Sequence, residues 1–545
     1  MSQIQERLSE NKVPLVIAII QWFVTTILQV DRTFFTYDSE TTFFFIIKCL
    51  FLLLLMVAWC FVFMVYRKIK AQDANYKRGV QVFLVYFSIM MVLLLILWPG
   101  TWSWDDLWTL HDIQHYDDLN EWQHIITGIY HDLMLQILPF PGGVIFLQNV
   151  LVSICVAFTV TKLENTFHIR KLKNTIPDIL LKIVPFLLPP VLMYQFSGYR
   201  MGLYVYFELV MLVIFIVAER ENKEWTWSYT LLFCFLVVIV ATWRTESFLY
   251  IPFACILLFM MNKNILSTKR KCICVLIVIV GFLGINKWQN YELGDSNYQI
   301  ISLLRPCAEL VRVADYEDNV EEFAAIDKVT DLEVIFNNPT MNGETLYWST
   351  GCVRTRNDNP DDDYTKEDYH NYLKAFIKLS LKYPKVVIAE RWNLFIGGSG
   401  IYGSSPMIIN YSANLFEENG GNEVATEMLS SERNINRPVL KNIRRAVINI
   451  FGGKKIDGTD IGIVQRLMWN AIIPMLFLVY AWIELLIRKK WYLWLVCSSL
   501  VAKIPIIILT QPSAWLMYLL SFYFLGYVFI IYKGLLVEAK EMREY

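Results

Sequence analysis

The chain has 545 residues, 56% of them hydrophobic and 18% charged, with a formal net charge of −1. Its apolar residues gather into blocks of about twenty, the length that crosses a bilayer, which excludes a soluble globular enzyme and marks an integral membrane protein. No basic patch points to nucleic acid.

In chain order, twelve spans are predicted, near 13–30, 43–66, 80–98, 142–161, 177–196, 201–218, 228–243, 248–261, 272–285, 464–487, 491–511 and 514–533. The first apolar segment is long and has no small-residue cleavage site, so no cleavable signal peptide is expected. The fold class implied is mainly α, a polytopic membrane helical bundle. The loops 67–78 (RKIKAQDANYKR), 162–173, 263–271 and 488–490 are basic and all fall on one side of a twelve-span topology. Short basic loops stay cytoplasmic, which predicts a multi-pass cell-membrane protein with both termini in the cytoplasm. That topology leaves 99–141, the turn around Arg244 to Glu246, and 286–463 outside.

Three regions follow: an N-terminal transmembrane region 1–285 with the outward loop 99–141, an extracytoplasmic soluble domain 286–463, and a C-terminal transmembrane region 464–545. Within 287–463 there are 19 Lys/Arg against 26 Asp/Glu, a net −7, so the rest of the chain carries +6. Basic inner loops suit an anionic inner leaflet. Nine spans precede the domain and three follow it, which is not the pair of equal inverted halves of many secondary transporters.

The domain mixes strand-like and helix-like runs, and a mixed α/β insert is expected. The stretch 369–385 (YHNYLKAFIKLSLKYPK) has helical spacing and ends at Pro384, while 309–313 and 332–336 are ambiguous. The polar turn 358–363 (DNPDDD) lacks the glycine and distal acid of a calcium loop. Gly397, Gly398, Gly400 and Gly403 have no lysine or following helix to form a phosphate cradle and read as turn residues. Cys307 and Cys352 are the domain's two cysteines; whether they form a disulfide is left open.

Chemistry concentrates between residues 98 and 132. Trp98, Trp102, Trp104, Trp108 and Trp122 stand among Asp105, Asp106, Asp112, His111, His115, His124 and His131. Ser103 is placed to cap a helix, with Asp106 completing an acidic variant of the capping box. That leaves the neighbouring Asp105 unexplained by local structure, and an outward carboxylate at a bilayer edge is well placed as a general base. His111 to His115 (HDIQH) resembles a zinc-protease helix, but Asp stands where the motif needs Glu, so histidines that bind a phosphate, His111 first, or that only line an interfacial helix are the better readings. Gln123, His124, Tyr130 and His131 are candidate substrate-binding groups. Arg244 offers a fixed fork of donors for phosphate, Arg200 is a second candidate, and Glu246, two residues after Arg244, is a further candidate substrate-binding group. Glu208 and Lys503 sit at equal depth, about 10–12 Å below the outer surface at 1.5 Å per residue, and are expected to pair.

The segments Trp98-Pro99-Gly100-Thr101-Trp102-Ser103-Trp104-Asp105-Asp106 and Trp243-Arg244-Thr245-Glu246, with Thr510-Gln511-Pro512 opening an aromatic last span, resemble the GT-C superfamily of membrane glycosyltransferases. The resemblance implies transfer of a sugar from a polyprenyl-phosphate donor to a glycan, lipid or protein acceptor on the outer face, with inversion. It implies Asp105 or Asp106 as base, Arg244 with a histidine at the donor phosphate, and no fixed cofactor, though some relatives use a divalent metal. Two departures stand out: the acidic loop follows the third span instead of the first, and the soluble domain precedes the last three spans. A lipid-linked glycan polymerase or ligase, and a multi-span transporter, are the competing classes.

Overall fold

The computed structural model describes residues 2–36, 41–115, 123–169, 172–292, 298–340, 342–354, 364–401, 428–429, 440–452 and 463–541. The regular elements among them are helices. Twelve precede the inserted domain: α1 (Ser2–Leu28), α2 (Thr41–Lys70), α3 (Ala74–Leu97), α4 (Trp104–His115), α5 (Ile125–Ile137), α6 (Pro141–Phe167), α7 (Thr175–Ile183), α8 (Pro189–Gln195), α9 (Met201–Ala218), α10 (Trp227–Trp243), α11 (Tyr250–Met260) and α12 (Thr268–Glu292).

Among the described residues, seven helices are long and apolar enough to cross a membrane. They are Phe44–Lys70, Ala74–Leu97, Pro141–Phe167, Met201–Ala218, Thr268–Glu292, Trp491–Thr510 and Leu516–Leu536. An eighth candidate, Thr175–Leu187 with Pro189–Gln195, is bent by 77°. The bend falls at Leu188, before Pro189 and Pro190, where the proline rings remove backbone donors and block continuation of the preceding helix. Four shorter apolar helices, Lys12–Leu28, Trp227–Trp243, Thr245–Met260 and Ile472–Ile487, occupy the remaining predicted segments. The chain is a helical, multi-pass membrane protein.

Packing puts α9 at the centre of the bundle: 83% of its span is buried in protein, against 17% for α12. A helix that is apolar all round and enclosed by neighbours is a core helix, so its preceding turn, Ser197 to Arg200, emerges at the middle of one end. That turn becomes the floor of the candidate site.

The inserted domain is helical among its described residues, where no strand is formed. It contains α13 (Ile301–Val313), α14 (Val320–Asp327), α15 (Leu332–Asn337), α16 (Gly343–Thr350), α17 (Lys366–Lys382), α18 (Pro384–Gly398), α19 (Lys441–Gly452) and α20 (Ile463–Met468). An isolated antiparallel bridge joins Thr330 and Val353. The ambiguous run 309–313 is the end of α13, whose buried Ile301, Leu304, Ala308 and Val311 follow helical spacing. A stretch of only five residues cannot show that period by itself. The predicted 369–385 helix is α17, opened by a capping box of Thr365 and Asp368 and ending at Lys382, and a second helix, α18, starts at Pro384. Domain and bundle also meet later than expected, because α12 continues past 285 to Glu292.

The domain has its own core, with Leu304, Cys307, Phe323, Leu346, Tyr372 and Leu379 fully or almost fully buried. Cys307 and Cys352 are both buried free thiols, so the open question of a disulfide resolves against one. The turn 358–363 and Gly403 lie outside the described residues.

Three contacts hold the domain to the C-terminal helices α21 (Ile472–Ile487), α22 (Trp491–Val501), α23 (Lys503–Thr510) and α24 (Leu520–Glu541). Arg391 of α18 donates to the carbonyls of Leu509 (3.1 Å) and Gln511 (2.9 Å), satisfying the end of α23. Gly343 N donates to Pro512 O at 2.9 Å. Gly400, at φ +74°, would put any Cβ 2.1 Å from Trp469 O, so only glycine fits that crossing.

Candidate active site

The acidic loop is shaped first by its backbone. Trp98-Pro99 is cis, and Gly100 follows at φ +116°. A Cβ on Gly100 would lie 2.7 Å from Phe196 O, so glycine lets the loop approach the turn before α9 closely enough for Thr101 N to donate to that same carbonyl at 2.8 Å. Trp102 is fully buried against Gly198, where a Cβ would fall 2.3 Å from its ring. His131 Nε2 meets Gly198 O at 2.7 Å, and Gln148 Nε2 donates to Ser197 O at 2.9 Å. Arg444 of α19 donates to Trp98 O at 3.0 Å from the domain side. These contacts fix the start of α4 against the turn that ends at Arg200.

The two aspartates then separate in role. Asp106 Oδ1 accepts from Ser103 N (2.7 Å) and from the Ser103 hydroxyl, the half of the expected capping box in which the acidic side chain reaches back to the cap residue. Its other oxygen is buried without a partner, and burial pushes its carboxyl up to about 7 against the pull of the Ser103 hydrogen bonds. Asp105 is half-buried and accepts from the Tyr199 hydroxyl at 3.0 Å. Burial raises its proton affinity, and the Tyr199 hydrogen bond and the Arg200 charge partly offset that.

Arg200 and Glu344 complete the cluster. Arg200 is half-buried, and its Nε has no hydrogen-bond partner among the described residues. Glu344, near the start of α16, accepts from the Tyr518 hydroxyl at 2.8 Å. Burial, and then the negative charge of Asp105, push Glu344 up to about 8; Tyr518 and Arg200 pull the other way. Two acids thus share one arginine in a partly open space, an arrangement that keeps one carboxyl protonated near neutral pH.

His124 borders the same charge. As the N-cap of α5, its Nδ1 accepts from Ile126 N at 3.3 Å, so the neutral ring carries its proton on Nε2, which is buried without a partner. Burial and the nearby Arg200 hold it neutral, down to about 3. Gln123 reaches the same place by its amide, donating to Asp105 O at 3.3 Å. Arg200 Nε and His124 Nε2 are therefore two unsatisfied donors beside a carboxylate.

Arg244, the expected phosphate ligand, is otherwise engaged. It is 5% exposed, its Nε donates to Glu246, its Nη1 lies 2.9 Å from Met201 Sδ, and its guanidinium sits 5.7 Å from the Tyr518 ring centroid. It faces protein, not lipid, and stands behind the aromatic wall of the site. Below it the expected Glu208–Lys503 pair is present at 2.7 Å, with Tyr250 donating to Glu208 at 2.6 Å and both ions fully buried.

The other predicted groups are placed elsewhere. Tyr130 donates to Gln148 Oε1 at 2.8 Å and is buried; His131 is buried under Trp102, its ring held near 4 by burial. Both brace the Ser197 to Arg200 turn. His111 lies six residues along α4 from Asp105, a different face at 100° per residue, and contacts Asp112 (3.3 Å) and the Trp108 ring (5.4 Å). Among the described residues no three His, Cys, Asp or Glu side chains gather as a metal site. Two members of the cluster, Tyr199 and Glu344, have no counterpart among the sequence candidates. Tyr199 adjoins Arg200 and was open to inspection; Glu344 carries no local signal. No family model, curated protein or solved structure matches the chain.

Proposed function

We propose that the chain is a membrane glycosyltransferase that moves a sugar from a polyprenyl-phosphate donor to an acceptor on the outer face of the cell membrane. Support comes chiefly from one juxtaposition: a half-buried carboxylate, Asp105, beside an arginine whose Nε has no partner. In the proposed reaction Asp105 takes the proton of the acceptor hydroxyl as its oxygen attacks the anomeric carbon. The bond from that carbon to the phosphate oxygen breaks, and the electron pair leaves with the lipid phosphate. Arg200 and the His124 N–H stabilise the charge that develops there. A single displacement inverts the anomeric centre.

Arg200 replaces Arg244 as the leading phosphate ligand because Arg244 is already neutralised by Glu246, while Arg200 has donor capacity to spare. The chain crosses the membrane twelve times in this proposal, with both termini cytoplasmic, as its basic loops require. The inserted domain then lies outside, and the lipid tail of the donor rests against the spans. The cluster offers Asp105 and Glu344 as oxygen ligands should a divalent ion accompany the donor; the proton and charge steps above need none.

The test is sugar transfer by membranes carrying Asp105→Asn, Arg200→Gln or Arg244→Gln, supplied with radiolabelled polyprenyl-phosphate hexoses. Loss in the first two, with a smaller loss in the third, is expected. Full transfer by Asp105→Asn would refute the base, and a larger loss at Arg244 than at Arg200 would return the phosphate to Arg244.

A further inference from the structure

We infer that the acceptor is a saccharide and that helix α16 carries its binding subsite, which rests on the transfer chemistry proposed above. Glu344, Tyr347 and Trp348 are three and four residues apart on α16 and so share one face. Tyr298 packs across that face, with ring centroids 5.7 Å from Tyr347 and 6.0 Å from Trp348, and Tyr347 stands 4.8 Å from Trp348. Tyr298 also lies within reach of the charges of Glu344, Asp105 and Arg200. These proximities link the Asp105 carboxylate through Glu344 and Tyr298 to Trp348, which is 55% exposed, as one track of acidic and aromatic groups.

The track is held rigidly where it meets the bundle and is open at its far end. Gly343 N donates to Pro512 O (2.9 Å), Ala514 N donates to Asn342 Oδ1 (3.4 Å), and a Cβ at Gly343 would lie 2.8 Å from Ile301 O. Glu344 cannot shift without moving this docking point. A sugar ring matches the track: its C–H face stacks on an aromatic ring, and its hydroxyls donate to carboxylates or accept from a protonated one. A lipid acceptor would set hydrocarbon against the Glu344 carboxyl and leave Tyr518 as its one hydrogen-bond partner on this track, whereas sugar hydroxyls can bond the rest of it. A peptide bound as an added strand needs a sheet edge, and the described residues have none.

The experiment uses the full chain in membranes with radiolabelled polyprenyl-phosphate hexoses, and separates products by solvent extraction and by protease digestion. The expected result is label in water-soluble, protease-resistant material larger than the free hexose that donor hydrolysis releases. Trp348→Ala should lower the ratio of transfer to donor hydrolysis about tenfold, the effect of losing one stacked ring, with Trp348→Phe restoring most of it. Label in the solvent-extracted or protease-sensitive fraction, or an unchanged ratio in Trp348→Ala, would overturn the saccharide assignment while leaving the transferase intact. An absence of both transfer and hydrolysis would overturn the transferase itself.

Discussion

Two groups of buried charge lie near opposite ends of α3, about 30 Å apart at 1.5 Å per residue, and differ in how completely they are paired. Near its start, Arg78 bonds Glu164 at 2.7 Å and also reaches Asp178, while Lys182 bonds the same two carboxylates at 2.7 and 2.9 Å. Two cations meet two anions, and all four are shut away from solvent. Past its end, Asp105 and Glu344 share a single Arg200, all three are half-buried, and one guanidinium nitrogen has no partner. Charge buried for architecture is neutralised within its own group. Charge left incompletely paired in a partly open space is what a binding or catalytic group needs, so the second group is the candidate site and the first reads as a fastening.

The comparison breaks most visibly at Asp105. Asp105→Asn should reduce transfer by about 10²–10⁴-fold, the range for loss of a general base, with no fall in thermal stability. Arg78→Met should do the reverse. Leaving Glu164 and Asp178 with one cation should cost about 3–5 kcal/mol of stability, read as a lower unfolding temperature in detergent, while transfer per folded molecule is retained. If Arg78→Met instead abolished transfer in folded protein, the fastening would belong to the chemistry.

Glu344 sharpens the same contrast through pH. Its carboxyl sits near 8 when folded against an ordinary 4.5, so the folded chain keeps a proton that the unfolded chain has released between those values. Stability therefore falls as pH rises from about 4.5 to about 8, and Glu344→Gln should flatten that slope. Above about 8 the ionised Glu344 adds a second negative charge beside Asp105 and repels the donor phosphate. Transfer should decline there in the native chain and not in Glu344→Gln; identical pH profiles would remove Glu344 from the site. The smallest effect expected is at Ser103→Ala, about 1 kcal/mol of stability from a weakened cap, with transfer nearly unchanged. A large loss of transfer there would move the base from Asp105 to Asp106.

Parts of this site are legible in the linear chain and parts are not. Ser103 and Asp106 are three residues apart, and capping depends only on that spacing, so their pairing follows from the sequence. Asp105 and Arg200 stand out as charges at the ends of apolar segments. Their relative weight does not: Arg244 has a carboxylate two residues away to satisfy it, and whether Arg200 has one depends on which distant helix passes by. His124 and His131 look alike in sequence, yet one ends as a neutral donor beside Arg200 and the other as a brace beneath Trp102.

The sequence by itself determined the membrane character and the places of its apolar helices, because bilayer thickness imposes a length and an apolarity that any single segment must meet alone. It also determined that Glu208 and Lys503 would find each other, since an isolated charge at that depth is too costly to leave unpaired. Only the tertiary structure decided that the runs 309–313 and 332–336 are helical, since five-residue runs carry no resolvable period and packing chooses between their options. Only it brought Glu344 of α16 to Asp105 of α4. That meeting is set by how Gly343, Gly397 and Gly398 let one backbone settle against the Pro512 to Trp515 turn, a contact between segments far apart in the chain.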